Sequence, residues 1–145
     1  MDYRKLGNTY YVRMDRGDEI ISGLIGICRA CHIGAATFSG IGGCQSAEIQ
    51  TFLPEAHAFQ TELLTGMLEL ITINGNIVLE EQGSYSHHTH AMFSYLKDGQ
   101  HCMAGGHMKS VTVLYTAEIT LTPVTGGTIH KKHDPETGTG FWAFD

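Results

Sequence analysis

The stretch VTVLYTAEITLT, residues 111–122, is the clearest strand of the chain. Its β-branched and aromatic content is typical of a central position in a sheet, and Pro123 ends it. Similar, shorter runs precede it and are separated by Gly, Pro and Asn turns. The pattern predicts strands at residues 9–14, 35–39, 47–53, 58–63, 67–73, 76–79 and 86–95. Short strands joined by such turns favour an antiparallel sheet or barrel.

One amphipathic helix precedes most of these strands. Its apolar residues recur at helical spacing between positions 20 and 31, which is typical of a helix that covers a sheet. Asp15 or Asp18 can cap its start, and Gly34 can end it. The glycines at residues 40–43 precede no Lys-Ser or Lys-Thr helix start, so we expect a turn or a close subunit contact there rather than a phosphate loop.

Length and composition indicate one globular domain over residues 1–145. The chain has 145 residues, of which 42% are hydrophobic and 17% are charged. This is enough to bury one core and too short for two. The expected fold class is α+β, a single compact domain that is mainly antiparallel β-sheet with one principal α-helix near the N-terminus.

The charge balance argues against DNA as a partner of the isolated domain. The formal net charge is −6, and the nine Lys and Arg residues form no cluster that could neutralise phosphates.

We expect no membrane association, because no apolar run approaches a spanning length, and a cytoplasmic location, because the first residues lack a signal-peptide core. The four cysteines should then stay reduced. A redox or zinc role for Cys28 and Cys31 remains an alternative to small thiols that fill a helix face.

The four histidines His87, His88, His90 and His107 form the most informative group for function. His88 and His90 alternate along a predicted strand and therefore project to the same face. A turn at residues 97–100 would fold the next strand back and bring His107 into reach as a third nitrogen ligand. Neutral imidazole is a common ligand of zinc, and three such ligands leave one tetrahedral position open. Alternatively these are solvated surface residues, as we expect for His87 and His101.

A catalytic metal site would also need a group that transfers protons. Glu69 is the best candidate, because it is an acid within an otherwise apolar strand, where an unpaired carboxylate would be costly to bury. The alternative is that strand alternation simply turns Glu69 towards solvent.

Several of these segments are similar to one known family. His88-Thr89-His90, Asp98-Gly99 and Gly105-Gly106-His107 resemble the HxH and GGH signature of the plants-and-prokaryotes conserved (PPC) domain. Further similarity lies at residues 16–19, 39–43, 68–76 and 133–138, so that the resemblance covers nearly the whole chain.

The resemblance implies a PPC-like α+β domain that forms a homotrimer, with a metal on His88, His90 and His107 in some prokaryotic members. It also implies an association with DNA, although the AT-hook of plant members needs an Arg-Gly-Arg-Pro core and the chain's only Arg-Gly is followed by Asp18. Three functional classes follow: a metal-binding homotrimer with a small-molecule or catalytic pocket, a DNA-associated regulator, and a trimeric structural module. We favour the first, with zinc or another divalent ion as the cofactor.

Overall fold

The computed structural model describes residues 1–136 and 139–144, and within them it contains eight β-strands, one α-helix and one short 3-10 turn. The elements in chain order are β1 (Asp2–Leu6), β2 (Thr9–Asp15), α1 (Ile20–Ala30), β3 (Ala35–Leu53), the turn Pro54–Ala56, β4 (Ala58–Leu79), β5 (Tyr85–Lys97), β6 (Gln100–Pro123), β7 (His130–His133) and β8 (Gly140–Ala143). The mainly antiparallel α+β prediction is confirmed. Thr137 and Gly138, which belong to the family-like segment 133–138, lie outside the described residues.

Strand β6 is the centre of the sheet. The strand order is β1-β2-β6-β3-β4-β5, all neighbours are antiparallel, and β5 also pairs with β6. Strands β3 to β6 therefore close on one another. The stretch 111–122 is the second half of β6, and its inward side chains are buried at Val111, Val113, Ala117, Ile119 and Leu121. The predicted central position is confirmed.

The long strands contain glycines where the sequence predicted a turn. Residues 40–43 continue β3, so the predicted turn is wrong. The close approach is present, but it is to β6 of the same chain: a Cβ added to Gly42 would lie 2.6 Å from the Cβ of Ala117. Register shifts on both sides of this point show that β3 bends there.

Helix α1 covers one face of the sheet. Its buried residues Ile20, Leu24 and Ile27 belong to the same apolar core as the inward residues of the strands. Glu19, rather than Asp15 or Asp18, caps the helix by accepting hydrogen bonds from the amides of Ile21 and Ser22.

A tertiary contact explains the error at the helix start, and local hydrogen bonds explain the error at its end. Glu19 also accepts a hydrogen bond from the Val111 amide at 3.1 Å, which ties the helix start to β6. At the other end, α1 stops before Gly34, because the amides of Cys31 and Ile33 bond back to Ile27 and Cys28. In the described part of the chain, no helix has the length and apolar content needed to cross a membrane.

Candidate metal centre

The hairpin of β5 and β6 positions the three candidate ligands. Lys97 pairs with Gln100, and the two residues between them, Asp98 and Gly99, have φ angles of 52° and 77°. Two left-handed residues are what a tight hairpin turn requires, so the predicted turn is confirmed. The resulting register sets His90 directly opposite His107.

His88, His90 and His107 form a compact triangle of imidazoles. Their ring centroids lie 5.2 Å apart for His88–His90, 5.2 Å for His88–His107 and 5.5 Å for His90–His107. One ligand nitrogen from each ring lies within 4.8 Å of the others. Since zinc binds imidazole nitrogen at about 2.0–2.1 Å, modest side-chain rotations would bring all three nitrogens onto one ion.

The surroundings keep two of these rings neutral. Desolvation, followed by the charges of His88 and His90, lowers the pKa of His107 to about 4. Desolvation also lowers the pKa of His88, with His90 and Lys131 as further causes. Neutral imidazole is the form that binds metal, so these two residues are deprotonated for ligation at neutral pH.

His87 and Thr89 alternate with the candidate ligands along β5. Thr89 is fully buried, and its hydroxyl lies 3.0 Å from Nδ1 of His87. The prediction that His87 is a solvated surface residue is wrong, because this hydrogen bond holds the ring in a half-buried position. His101 is exposed, as predicted.

A buried acceptor lies next to the triangle on β4. Asn76 pairs with His88, and its side-chain Oδ1 is buried without a hydrogen-bond partner among the described residues. Ligating histidines commonly donate their second ring N–H to such an oxygen. Asn76 is therefore the cross-strand neighbour of His88, a placement that sequence reasoning did not find because it depends on the register between β4 and β5.

The triangle opens into a cleft of about 640 Å³. The adjoining ends of β3 and β4 contribute Phe52 and Phe59 to the walls, and the β7–β8 ribbon contributes Lys131. The Phe59 ring lies 5.6 Å from that of His107 and 5.3 Å from that of Phe52. The lining residues are Gln50, Thr51, Phe52, Phe59, His87, His88, His90, Gly106, His107, Lys131, Thr139 and Gly140.

Glu69 is not part of this cleft within one chain. It is exposed on β4 and pairs with Ser94, whereas His90 pairs with Asn74. Ser94 lies four residues beyond His90 on β5, which corresponds to roughly 13 Å along the strand. Direct proton transfer at the triangle needs hydrogen-bond distance, so Glu69 could act there only from another copy of the chain.

The cysteines lie apart from the triangle. Cys28 is buried as predicted, and burial, with Cys31 as a second cause, raises the pKa of its thiol to about 11. Burial raises that of Cys44 to about 12, with the charge of Glu69 adding to it. Thiols with raised pKa values are poor nucleophiles and poor metal ligands at neutral pH, which favours the packing role over the redox alternative.

Solved structures share this fold over almost the whole chain. A putative DNA-binding protein from Bacteroides thetaiotaomicron is 22% identical with a TM-score of 0.88, over 99% of this chain and 96% of its own. A plant- and prokaryote-conserved (PPC) protein from Pyrococcus horikoshii is 28% identical with a TM-score of 0.82, over 98% and 94%. A metal-containing protein from Archaeoglobus fulgidus is 25% identical with a TM-score of 0.81, over 99% of both chains.

A family model, rather than a single curated relative, identifies the chain by sequence. No curated protein matches the chain. The sequence model of the Plants and Prokaryotes Conserved (PCC) domain, however, matches residues 1–125. Together with the closed antiparallel sheet and the histidine triangle on its β5–β6 hairpin, this match shows that the chain belongs to the Plants and Prokaryotes Conserved domain family.

Proposed function

We propose that this protein is a homotrimer that binds one divalent metal ion per chain, zinc by preference, through His88, His90 and His107. The proposal includes a small-molecule ligand in the adjacent cleft. The observation that carries it is the closeness of the three ligand nitrogens, within 4.8 Å of one another. The metal-containing relative from Archaeoglobus fulgidus supports it.

The chemistry of the donor set fits zinc. Three imidazole nitrogens leave one tetrahedral position for water or a ligand, and a bound zinc ion would supply a water with a pKa of about 7. His88 and His107 hold their nitrogens neutral, and Asn76 offers an acceptor for the second N–H of His88. Glu69 is the proposed proton-transfer residue, supplied by a neighbouring copy, and a structural metal without chemistry is the alternative.

Exposed apolar side chains support the homotrimer. Ile71, Met92 and Met103 are 48%, 43% and 60% exposed and lie near one another on β4, β5 and β6. Met67 and Tyr115 meet above Gly43, since a Cβ there would contact both side chains. One chain leaves this surface in water, and association of copies would bury it.

A DNA-associated regulator is the second candidate. The likeness to the protein from Bacteroides thetaiotaomicron favours it. The net charge of −6 opposes it, because phosphate binding requires several clustered Lys and Arg residues. A cytoplasmic location stays a prediction from the sequence.

Metal analysis tests the proposal directly. Protein purified without a His-tag and without chelator, then loaded with zinc and desalted, should contain about one equivalent of metal. His90→Ala should lower zinc affinity by at least about tenfold, whereas His101→Ala, an exposed histidine on the same hairpin, should leave it unchanged. Absence of retained metal, or equal affinities for the two variants, would refute the metal site.

A further inference from the structure

We infer that the cleft beside the histidine triangle takes a small organic monocarboxylate, with Lys131 binding the carboxylate and Phe59 contacting the apolar part. This inference rests on the proposed metal site, whose open position faces the same cleft. It adds the chemical class of the ligand.

Among the residues that the structure describes, Lys131 has no anionic partner. It is half-buried on β7 and lines the cleft together with the three candidate ligands. Within residues 1–136 and 139–144, its ammonium group makes no hydrogen bond or ion pair. A partly desolvated ammonium group that lacks an anion is stabilised when an anionic ligand arrives.

The stem of Lys131 passes over Gly140. Gly140 on β8 has no side chain where the Lys131 stem passes, and a Cβ there would lie 3.3 Å from Cδ of Lys131. Burial lowers the pKa of Lys131, and the charge of Glu80 opposes this. Lys131 and Glu80 both line a neighbouring depression, but no ion pair joins them in the described part of the chain.

The aromatic wall selects an organic anion over an inorganic one. Phe59 is 37% exposed and packs at a tilted angle against the rings of both His107 and Phe52, so part of its ring contacts the protein and part remains open. Inorganic phosphate would leave this apolar surface in water. A carboxylate attached to a ring or a short apolar chain would cover it while its oxygens meet the metal position and Lys131.

Benzoate, benzamide and acetate are suitable probes, titrated by calorimetry into zinc-loaded protein of measured metal content. Benzoate should bind at least tenfold more tightly than neutral benzamide, which has the same shape, and also more tightly than acetate. Lys131→Gln should weaken benzoate binding by about tenfold, the effect of losing one charge-assisted hydrogen bond. Lys131→Arg should restore much of it. Lys132→Gln removes the same charge from an exposed neighbour and should change benzoate binding by less than about twofold.

Phe59→Leu tests the apolar wall. It should reduce the preference for benzoate over acetate by about threefold to fivefold, since a flat aromatic contact is lost at similar volume. Two results, each with zinc retained, would overturn the carboxylate inference and leave the metal site intact. One is an equal benzoate affinity of the Lys131→Gln and Lys132→Gln proteins. The other is benzamide that binds as tightly as benzoate. Failure of the wild-type protein to retain zinc would overturn both.

Discussion

Alanine at Gly105 should disturb both the sheet and the metal site. Gly105 on β6 lies opposite Met92 on β5, two residue pairs away from the His90–His107 pair. A Cβ on Gly105 would lie 2.4 Å from the carbonyl oxygen of Ala91 and 3.1 Å from Cα of Met92. Both contacts are with backbone atoms, so no side-chain rotation can relieve them.

The expected size of the effect follows from these distances. Ordinary contact begins near 3.4 Å, so β5 and β6 must separate by about 1 Å at this point. Overpacking of this kind costs about 1–3 kcal/mol of unfolding free energy. For a domain of this length, a loss of about 2 kcal/mol lowers Tm by about 4–8 °C. Because zinc–nitrogen distances tolerate only about 0.2 Å, the same separation should weaken zinc binding about tenfold.

Thermal unfolding followed by circular dichroism and zinc competition against a chromophoric chelator measure the two effects. Gly106→Ala is a graded comparison, because its Cβ would lie 3.1 Å from the carbonyl oxygen of Gln50 and should cost less. Gly26→Ala on α1 is the matched control, since no atom lies within 4 Å of the added carbon and it should stabilise the helix by up to about 1 kcal/mol. A Gly105→Ala protein with the Tm and zinc affinity of the wild type would refute the register that brings His90 and His107 together.

Three further outcomes are expected. The pKa of His107 lies near 4 in the folded, metal-free protein and near the ordinary 6.5 when unfolded, so the unfolding free energy should be highest above pH 6.5 and fall towards pH 4. In urea titrations, the unfolding free energy of His107→Gln should fall less with decreasing pH than that of the wild type. An equal fall would contradict the lowered pKa of His107. Light scattering at micromolar concentration should give three times the monomer mass of 15.9 kDa, whereas a monomeric result would remove the homotrimer. Fluorescence anisotropy at pH 7.5 should detect no tight binding of random or AT-rich duplexes, and submicromolar, sequence-dependent affinity would restore the DNA-associated candidate.

Local signals explain why the triangle could be predicted. The H-x-H spacing fixes two side chains on one face of a strand, and the Asp98-Gly99 pair specifies a two-residue turn. Together they set the register that brings His107 opposite His90. Each step involves residues close in sequence, where backbone geometry alone determines the outcome.

The rest of the site depends on contacts between distant segments. Phe52 and Phe59 reach the triangle because β3 pairs with β6, where Gln50 lies opposite His107. Lys131 arrives on a separate two-stranded ribbon. No periodicity in the sequence predicts that the two phenylalanines or Lys131 lie beside the histidines. The same limit applies to Glu19, whose carboxylate caps α1 and also binds the Val111 amide of β6, a pairing that cap propensities do not include.

The sequence pattern does not predict the short edge strand β1, for a related reason. Most of its residues, Asp2–Leu6, are exposed, so they lack the alternation of a half-buried strand, and pairing with β2 alone makes them extended. The sequence pattern predicts several short strands in place of the long strands β3 and β4, because Gly and Asn normally mark turns. In this fold the glycines instead allow neighbouring backbones to approach, as at Gly40, where a Cβ would lie 2.5 Å from the carbonyl oxygen of Glu118.

The two parts of the cleft therefore have different structural origins. The proposed metal ligands lie on one hairpin, so their geometry follows from a turn and two strands that pair along their length. The residues proposed to select the ligand come from the β3–β4 end and the β7–β8 ribbon, and neither element supplies a metal ligand. Substitutions at Lys131 or Phe59 can then change which small molecule binds while the histidine triangle keeps its shape. Substitutions at the β5–β6 register, such as Gly105→Ala, should change metal binding first and ligand binding only through it.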